Sequence, residues 1–106
     1  MAYLILFLVI FSVAFNAGNT YAQAGSRMSA MEWGIDRRGS DYNVFNLQAS
    51  DQPASCQEKC ARDPRCMAWT YAQPNTGQGP LPRCWLKQAV PPSGKNPNCV
   101  SGYKLR

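Results

Sequence analysis

Cysteine is the reactive residue type this chain concentrates. It has five cysteines and no histidine. Cys56, Cys60, Cys66 and Cys84 fall within one stretch, and Cys99 stands apart near the end. Such a cluster can be a zinc site, a dithiol redox centre or a disulfide framework. Structural zinc sites use four cysteines or cysteine–histidine sets, often in paired short spacings; here the spacings are uneven and no histidine is available. A redox centre uses Cys-x-x-Cys to lower one thiol pKa, and that motif is absent. In a small exported chain, cysteines at such spacings form a disulfide framework. Four cysteines allow three pairings, and spacing alone does not choose among them.

Other catalytic chemistry finds little support. Cys99 or a serine acting as nucleophile would have no histidine base. Asp36 and Asp41 flank a turn and resemble the paired carboxylates of glycoside hydrolysis. Aspartates at the two ends of a turn are also ordinary turn chemistry. The expectation is a protein that is not an enzyme and has neither cofactor nor metal.

The compartment follows from the first residues. Leu4 to Phe15 is an unbroken apolar run without charge. It is short of the ~20 residues that span a bilayer and has the length of a signal-peptide core. Ala22-Gln23-Ala24 then offers cleavage after Ala22 or Ala24. Residues 1–24 are expected to be a signal peptide, 25–31 a flexible lead-in and 32–106 one domain. An uncleaved N-terminal anchor, making an envelope-attached structural protein, is the alternative. The expected location is secreted or periplasmic. Every charged residue lies beyond the signal, so the mature chain keeps the net charge of +5. That charge permits weak attraction to polyanions, but an exported protein is not expected to meet nucleic acid. A domain of about 80 residues buries a limited core and needs supplementary staples.

The elements that must position the cysteines can be read in order. Residues 31–36 form a strand, and Arg37 to Asp41 a turn. Asp41 to Leu47 alternates with period two, with Tyr42, Val44 and Asn46 on one side and Phe45 and Leu47 on the other. Ser50 or Asp51 caps a helix over Pro53–Arg62, with Pro53 in its first turn and Asp63-Pro64 as the stop. Cys56 and Cys60 share one helix face. Cys66 to Tyr71 and Arg83 to Lys87 are strands. Between them, 72–82 is a long loop that projects as a mobile lobe. Residues 91–97 form a further loop, and 100–105 a closing strand.

The helix pair Cys56-x-x-x-Cys60, the segment Cys66-Met67-Ala68-Trp69-Thr70-Tyr71 and the segment Arg83-Cys84-Trp85-Leu86-Lys87 together resemble a PAN/apple domain. Trp33-Gly34-Ile35-Asp36-Arg37, Gly39-Ser40-Asp41-Tyr42 and Ser101-Gly102 are similar to its short single-domain bacterial branch. The resemblance spans about residues 32–104. It implies an α+β fold, a small antiparallel sheet with one helix packed across it. It also implies the disulfides Cys56–Cys84 and Cys60–Cys66. The chain-entropy model assigns the longer bridge about 3–4 kcal/mol and the nested shorter one about 2 kcal/mol. The larger apple pattern ties its termini with a further disulfide, and here Cys99 lacks a partner for it. Cys99 is expected to be free or capped by a small thiol, with a dimer bridged through Cys99 as the alternative.

The resemblance implies a non-catalytic module binding a protein or a carbohydrate. Trp69 and Trp85 sit at positions expected to lie opposite Cys66 and Cys84, and so on a sheet face the helix leaves uncovered. Trp69, Tyr71, Trp85, Arg83 and Lys87 are the candidate ligand-binding residues; the competing expectation, the stronger one for Trp69 and Trp85, is that these aromatics fill a small sheet–helix core. Lys59, Arg62 and Arg65 can join Arg83 and Lys87 in a basic patch. That alternative makes the protein a binder of heparin-like polyanions, but Glu58, Asp51 and Asp63 interleave with the same positives, so an ordinary solvated helix face is the stronger expectation.

Overall fold

The computed structural model describes residues 27–106. The expected signal peptide, both cleavage positions and the first residues of the lead-in lie outside the described residues. The strands are β1 (Glu32–Asp36), β2 (Asp41–Asn46), β3 (Ala68–Ala72), β4 (Arg83–Lys87) and β5 (Gly94–Tyr103), and the helix α1 is Pro53–Arg62. They form a five-stranded sheet in the order β1-β5-β3-β4-β2, in which every neighbouring pair is antiparallel. The expected α+β architecture, one helix across a small antiparallel sheet with two disulfides, is the one observed.

The helix packs on β3 and β4. Pro53, Cys56 and Cys60 are its buried residues, spaced to form one stripe along it. Cys56 is bonded to Cys84 of β4, and Cys60 to Cys66 just before β3. These are the pairs the family resemblance implies. All four cysteines are fully buried and occupied as disulfides. The helix begins without the side-chain cap expected from Ser50 or Asp51: Gln52 holds the N-cap position and makes no capping bond. Asp51 instead accepts hydrogen bonds from the Gln48 amide at 2.9 Å and the Ser55 hydroxyl at 3.2 Å, closing the turn ahead of the helix.

Register decides which side chains meet the helix, because residues directly opposite in a ladder point to the same face. Trp69 lies opposite Leu86 and Gly102, and Tyr71 opposite Cys84 and Val100. All of these face the helix, so Trp69 lies on the same face as Cys84, not the opposite one. Counting alternation from Cys66 misleads because Cys66 precedes the strand, with its amide bonded to the Asp63 carbonyl. The tryptophan is fully buried and packs so closely on β5 that a Cβ on Gly102 would come within 2.7–2.8 Å of its ring. On β2 a register irregularity between Asp41 and Asn43 breaks strict alternation. Tyr42 therefore packs against the core with Phe45 instead of facing away beside Val44.

Residues 37–40 connect β1 to β2, which occupy opposite edges of the sheet. Five Cα steps reach at most ~18 Å, whereas four strand spacings of a flat sheet amount to ~19 Å. A link this short closes only if the sheet curls toward it. Gly39 and Ser40 take positive φ values of 109° and 61° within it. The curl makes the face opposite the helix concave.

β5 is longer than expected and contains Pro97, which the sequence assigns to a loop. Its register against β1 runs from Trp33↔Val100 to Ile35↔Lys95, so Asn96 to Cys99 bulge opposite the single residue Gly34. A bulge tolerates a residue with no amide hydrogen to contribute. The described part of the expected flexible lead-in is fastened: Met28 bridges Lys104, and the Ser29 amide donates to the Tyr103 carbonyl at 2.8 Å.

Replacing Gly102 with alanine drives a methyl into the Trp69 indole, and overpacking of this kind costs about 1–3 kcal/mol. Guanidinium denaturation followed by tryptophan fluorescence should show that loss. Gly94→Ala, whose Cβ would meet only the Asp36 carbonyl oxygen at 3.8 Å, should stay within about 0.5 kcal/mol of wild type.

Candidate functional site: a cavity on the concave face

β3 is buried on both sides. Trp69 and Tyr71 lie beneath the helix, while Thr70 and Ala72 form the floor of a cavity of about 360 Å³ on the concave face. Four pieces of chain wall it. The β1–β2 link and its flanks contribute Asp36, Arg38, Gly39 and Asp41, and the 72–82 loop contributes Thr76, Gly77 and Gln78. Trp85 and Lys87 come from β4, and Asn96, Asn98 and Cys99 from the β5 bulge.

Each wall has a local cause. The loop is pinned by the Gln73 amide, which donates to the Asn98 carbonyl at 2.9 Å, and by paired bonds between Thr76 and Gly79. It therefore folds over the sheet as a wall where the sequence suggested a projecting lobe. In the bulge, the Asn98 amide donates to Asn96 Oδ1 at 3.0 Å, the local side-chain turn that asparagine favours. On the floor, the Thr70 and Ser101 hydroxyls share a 2.8 Å hydrogen bond, and Ser101 Oγ donates to the Ile35 carbonyl at 2.8 Å.

Lys87 is 2% exposed. Its ammonium donates to Asp41 Oδ1 at 2.5 Å and to the Gly39 carbonyl at 3.3 Å. A buried ammonium without such partners would be severely penalised, so Lys87 holds the β1–β2 link against β4 and sets the position of Asp41. Asp36 pairs more loosely with the exposed Arg38, Nε to Oδ2 at 4.0 Å.

The five candidate binding residues separate. Trp85 and Lys87 line the cavity. Arg83 shares their face but reaches away, donating to Asn46 Oδ1 at 3.2 Å while its guanidinium lies 6.0 Å from the Trp85 ring centroid. Trp69 and Tyr71 are not available to a ligand. Trp69 is fully buried, and Tyr71 is 3% exposed with its hydroxyl donating to the Asp51 carbonyl at 2.8 Å. Both belong to the core. Asn96, Asn98 and Gln78 reach the cavity from segments that read as plain loops. The Asn96-Pro97-Asn98 run was the available sign, since two amides flanking a proline mark a bend that presents them together.

The expected basic patch is divided. Lys59, Arg62 and Arg65 lie on the helix side, whereas Arg83 and Lys87 are on the concave face. Arg62 pairs with Glu58, Arg65 with Asp63, and Lys59 lies over the Phe45 ring at 5.7 Å. The helix side instead carries a clamp: the Tyr42 hydroxyl donates to Asp63 at 2.9 Å and Arg65 covers the Tyr42 ring. Bonding to Arg65 holds the Asp63 carboxyl far below the usual carboxylate range. Burial, reinforced by Asp63, pushes the Tyr42 hydroxyl up to about 12.

Cys99 is a free thiol, 6% exposed, in the cavity wall. Burial, reinforced by Asp36, pushes its pKa up to about 11.

A small α+β sheet stapled to its helix by two nested disulfides, with a polar cavity on the other face, defines a class of compact module found in oxidising compartments. The family model of the PAN domain matches residues 35–87, and the chain belongs to that family. PAN domains are protein- or carbohydrate-binding modules and are typically non-catalytic.

Cys99 should be unreactive in the native protein. A rise from 9.0 to about 11 lowers the thiolate fraction at neutral pH roughly 100-fold, before steric cover is counted. With a chromogenic disulfide reagent, one thiol per chain should react promptly in denaturant. Without denaturant the rate should be at least about 100-fold lower at pH 7 and climb toward pH 11. Prompt native reaction at pH 7 would contradict the buried placement.

Proposed function

We propose that the chain is exported, with cleavage after Ala22 or Ala24, and acts as a non-catalytic binding module. Its ligand, a protein or a glycan, sits in the concave-face cavity. The observation that carries this reading is the cavity itself. An aromatic ring, Trp85, stands beside amides from Gln78, Asn96 and Asn98 on a floor fixed by the buried Thr70–Ser101 bond. Small-molecule sites combine a concave shape with a few fixed polar groups in this way. Half-buried tryptophan is also the side chain most often found anchoring a partner.

Catalysis is disfavoured by the same residues. Asp41 is committed to Lys87, Cys99 holds its proton, and the chain has no histidine to serve as base. The polyanion alternative is weaker, because the basic residues it needs are split between two faces and most are matched to carboxylates. A dimer bridged through Cys99 is disfavoured, since its sulfur would have to leave the cavity wall.

Screening the exported protein on arrays of glycans and extracellular proteins, and retesting each ligand with Trp85→Ala, tests the reading. The variant should keep the wild-type near-ultraviolet dichroism and its single free thiol, yet bind at least tenfold more weakly, about 1.4 kcal/mol. Raising salt should change the wild-type affinity little, whereas binding driven by net charge falls steeply. A correctly folded variant that binds every ligand as tightly as wild type would reject the cavity as the site.

A further inference from the structure

Resting on the cavity as the binding site, we propose that its ligand is a neutral sugar: one hexose unit at the end of a glycan, stacked on Trp85 and hydrogen-bonded through Asp36, Asp41 and the bulge amides. The first ground is charge. The chain carries a net charge of +5, yet the cavity is lined by two carboxylates, Asp36 and Asp41, and two cations, Arg38 and Lys87. Their charges cancel. A sulfated or carboxylated glycan would find no excess positive charge there and would face two carboxylates. A cationic ligand would have to compete with Lys87, already held by Asp41 and Gly39.

The second ground is how the polar atoms are left. Each carboxylate has one oxygen engaged by a cation, Asp41 Oδ1 by Lys87 and Asp36 Oδ2 by Arg38. The other oxygen of each makes no hydrogen bond among the described residues. The hydrogen bond from Lys87 holds the Asp41 carboxylate in place, and the remaining oxygen of each carboxylate is left as an acceptor at the cavity. The side-chain amides of Gln78 and Asn98 likewise make no hydrogen bond among the described residues, although both line the cavity. Amides both donate and accept, as sugar hydroxyls do. Adjacent hydroxyls on a pyranose edge can therefore satisfy carboxylate and amide together, which a hydrocarbon or a simple anion cannot.

The third ground is shape. A pyranose has polar edges and an apolar face of C–H groups, and an indole ring offers the matching apolar surface. About 360 Å³ is at the small end of ligand cavities, which run from ~300 to ~1,000 Å³. A single ring matches that volume, whereas a folded protein surface would need a protruding side chain to enter.

The test is nuclear magnetic resonance titration of the exported, isotope-labelled protein. The probes are methyl glycosides of glucose, galactose, mannose, N-acetylglucosamine and N-acetylgalactosamine, and separately a heparin-derived oligosaccharide. At least one neutral glycoside should shift the Trp85 indole N–H and the Asn98 and Gln78 signals, with Kd of about 0.1–10 mM, unchanged by added salt. Asp36→Asn should weaken that glycoside at least fivefold and Trp85→Phe less than Trp85→Ala, all three keeping the wild-type spectrum elsewhere. Silence of the cavity signals toward all five glycosides overturns the neutral-sugar inference. If in that case the heparin oligosaccharide shifts the cavity signals and is released by salt, the cavity stands as a binding site while the ligand class is wrong. Shifts confined to the helix side, from any probe, overturn both the sugar assignment and the cavity reading.

Discussion

The bond between Cys56 and Cys84 is the constraint on which the rest of the structure depends. It fixes the helix to β4, beside the central strand, and so decides which face of the sheet becomes core. Closing so long a loop is worth about 3–4 kcal/mol in the chain-entropy model, comparable with what a small hydrophobic core supplies by itself. The Cys60–Cys66 bridge lies inside that loop and holds the helix end against the entry to β3. With the helix held, Trp69 has one place to go. It fills the space between the helix and Gly102, and a glycine there is the condition for the fit.

Stapling one face has a consequence for the other. All the covering mass of the helix is spent on the core face, so the concave face must be closed by loops. Loops carry unpaired backbone groups and close poorly packed layers. Here three of them converge without filling the space: the 37–40 link forced to cross between edges, the 72–82 loop tied to Asn98, and the Asn96–Cys99 bulge. The cavity is what remains between them. Its walls are nevertheless fixed, because Lys87 binds the link through Asp41 and Gly39 while the loop and the bulge are hydrogen-bonded to each other. A site held in place before its ligand arrives loses less entropy on binding.

What was legible in the sequence follows from what is local. The helix over Pro53–Arg62, its stop at Asp63-Pro64 and the strands around Cys84 rest on neighbours a few residues apart, and all appear where expected. The cysteine spacing with its interleaved aromatics was enough to indicate the family. Long-range register was not legible. Trp69 and Trp85 look equivalent in sequence, each near a bridge cysteine in an aromatic strand. One is core and the other cavity wall because Cys66 lies outside β3 while Cys84 lies inside β4. The bulge at Asn96–Cys99 was hidden for a related reason: its extra residues are defined only against Gly34 on another strand. A proline in a sequence argues against a strand until the partner strand shows that it sits in a bulge.

Charge carries the last step. A net charge of +5 invites a reading in which positive potential does the binding, yet potential acts where charges are uncompensated. Arg37 is matched to Glu32, Arg62 to Glu58, Arg65 to Asp63 and Lys87 to Asp41. Those pairs offset four of the cations, and among the described residues Lys59 of the helix, Arg83 of β4 and Lys95 of β5 have no carboxylate partner and sit on three separate elements. Excess charge of this kind governs solubility and weak, salt-sensitive attraction. In the proposed reading, selective recognition comes from the concave-face cavity, where shape, an aromatic ring and polar atoms without hydrogen bonds coincide and the lining charges balance.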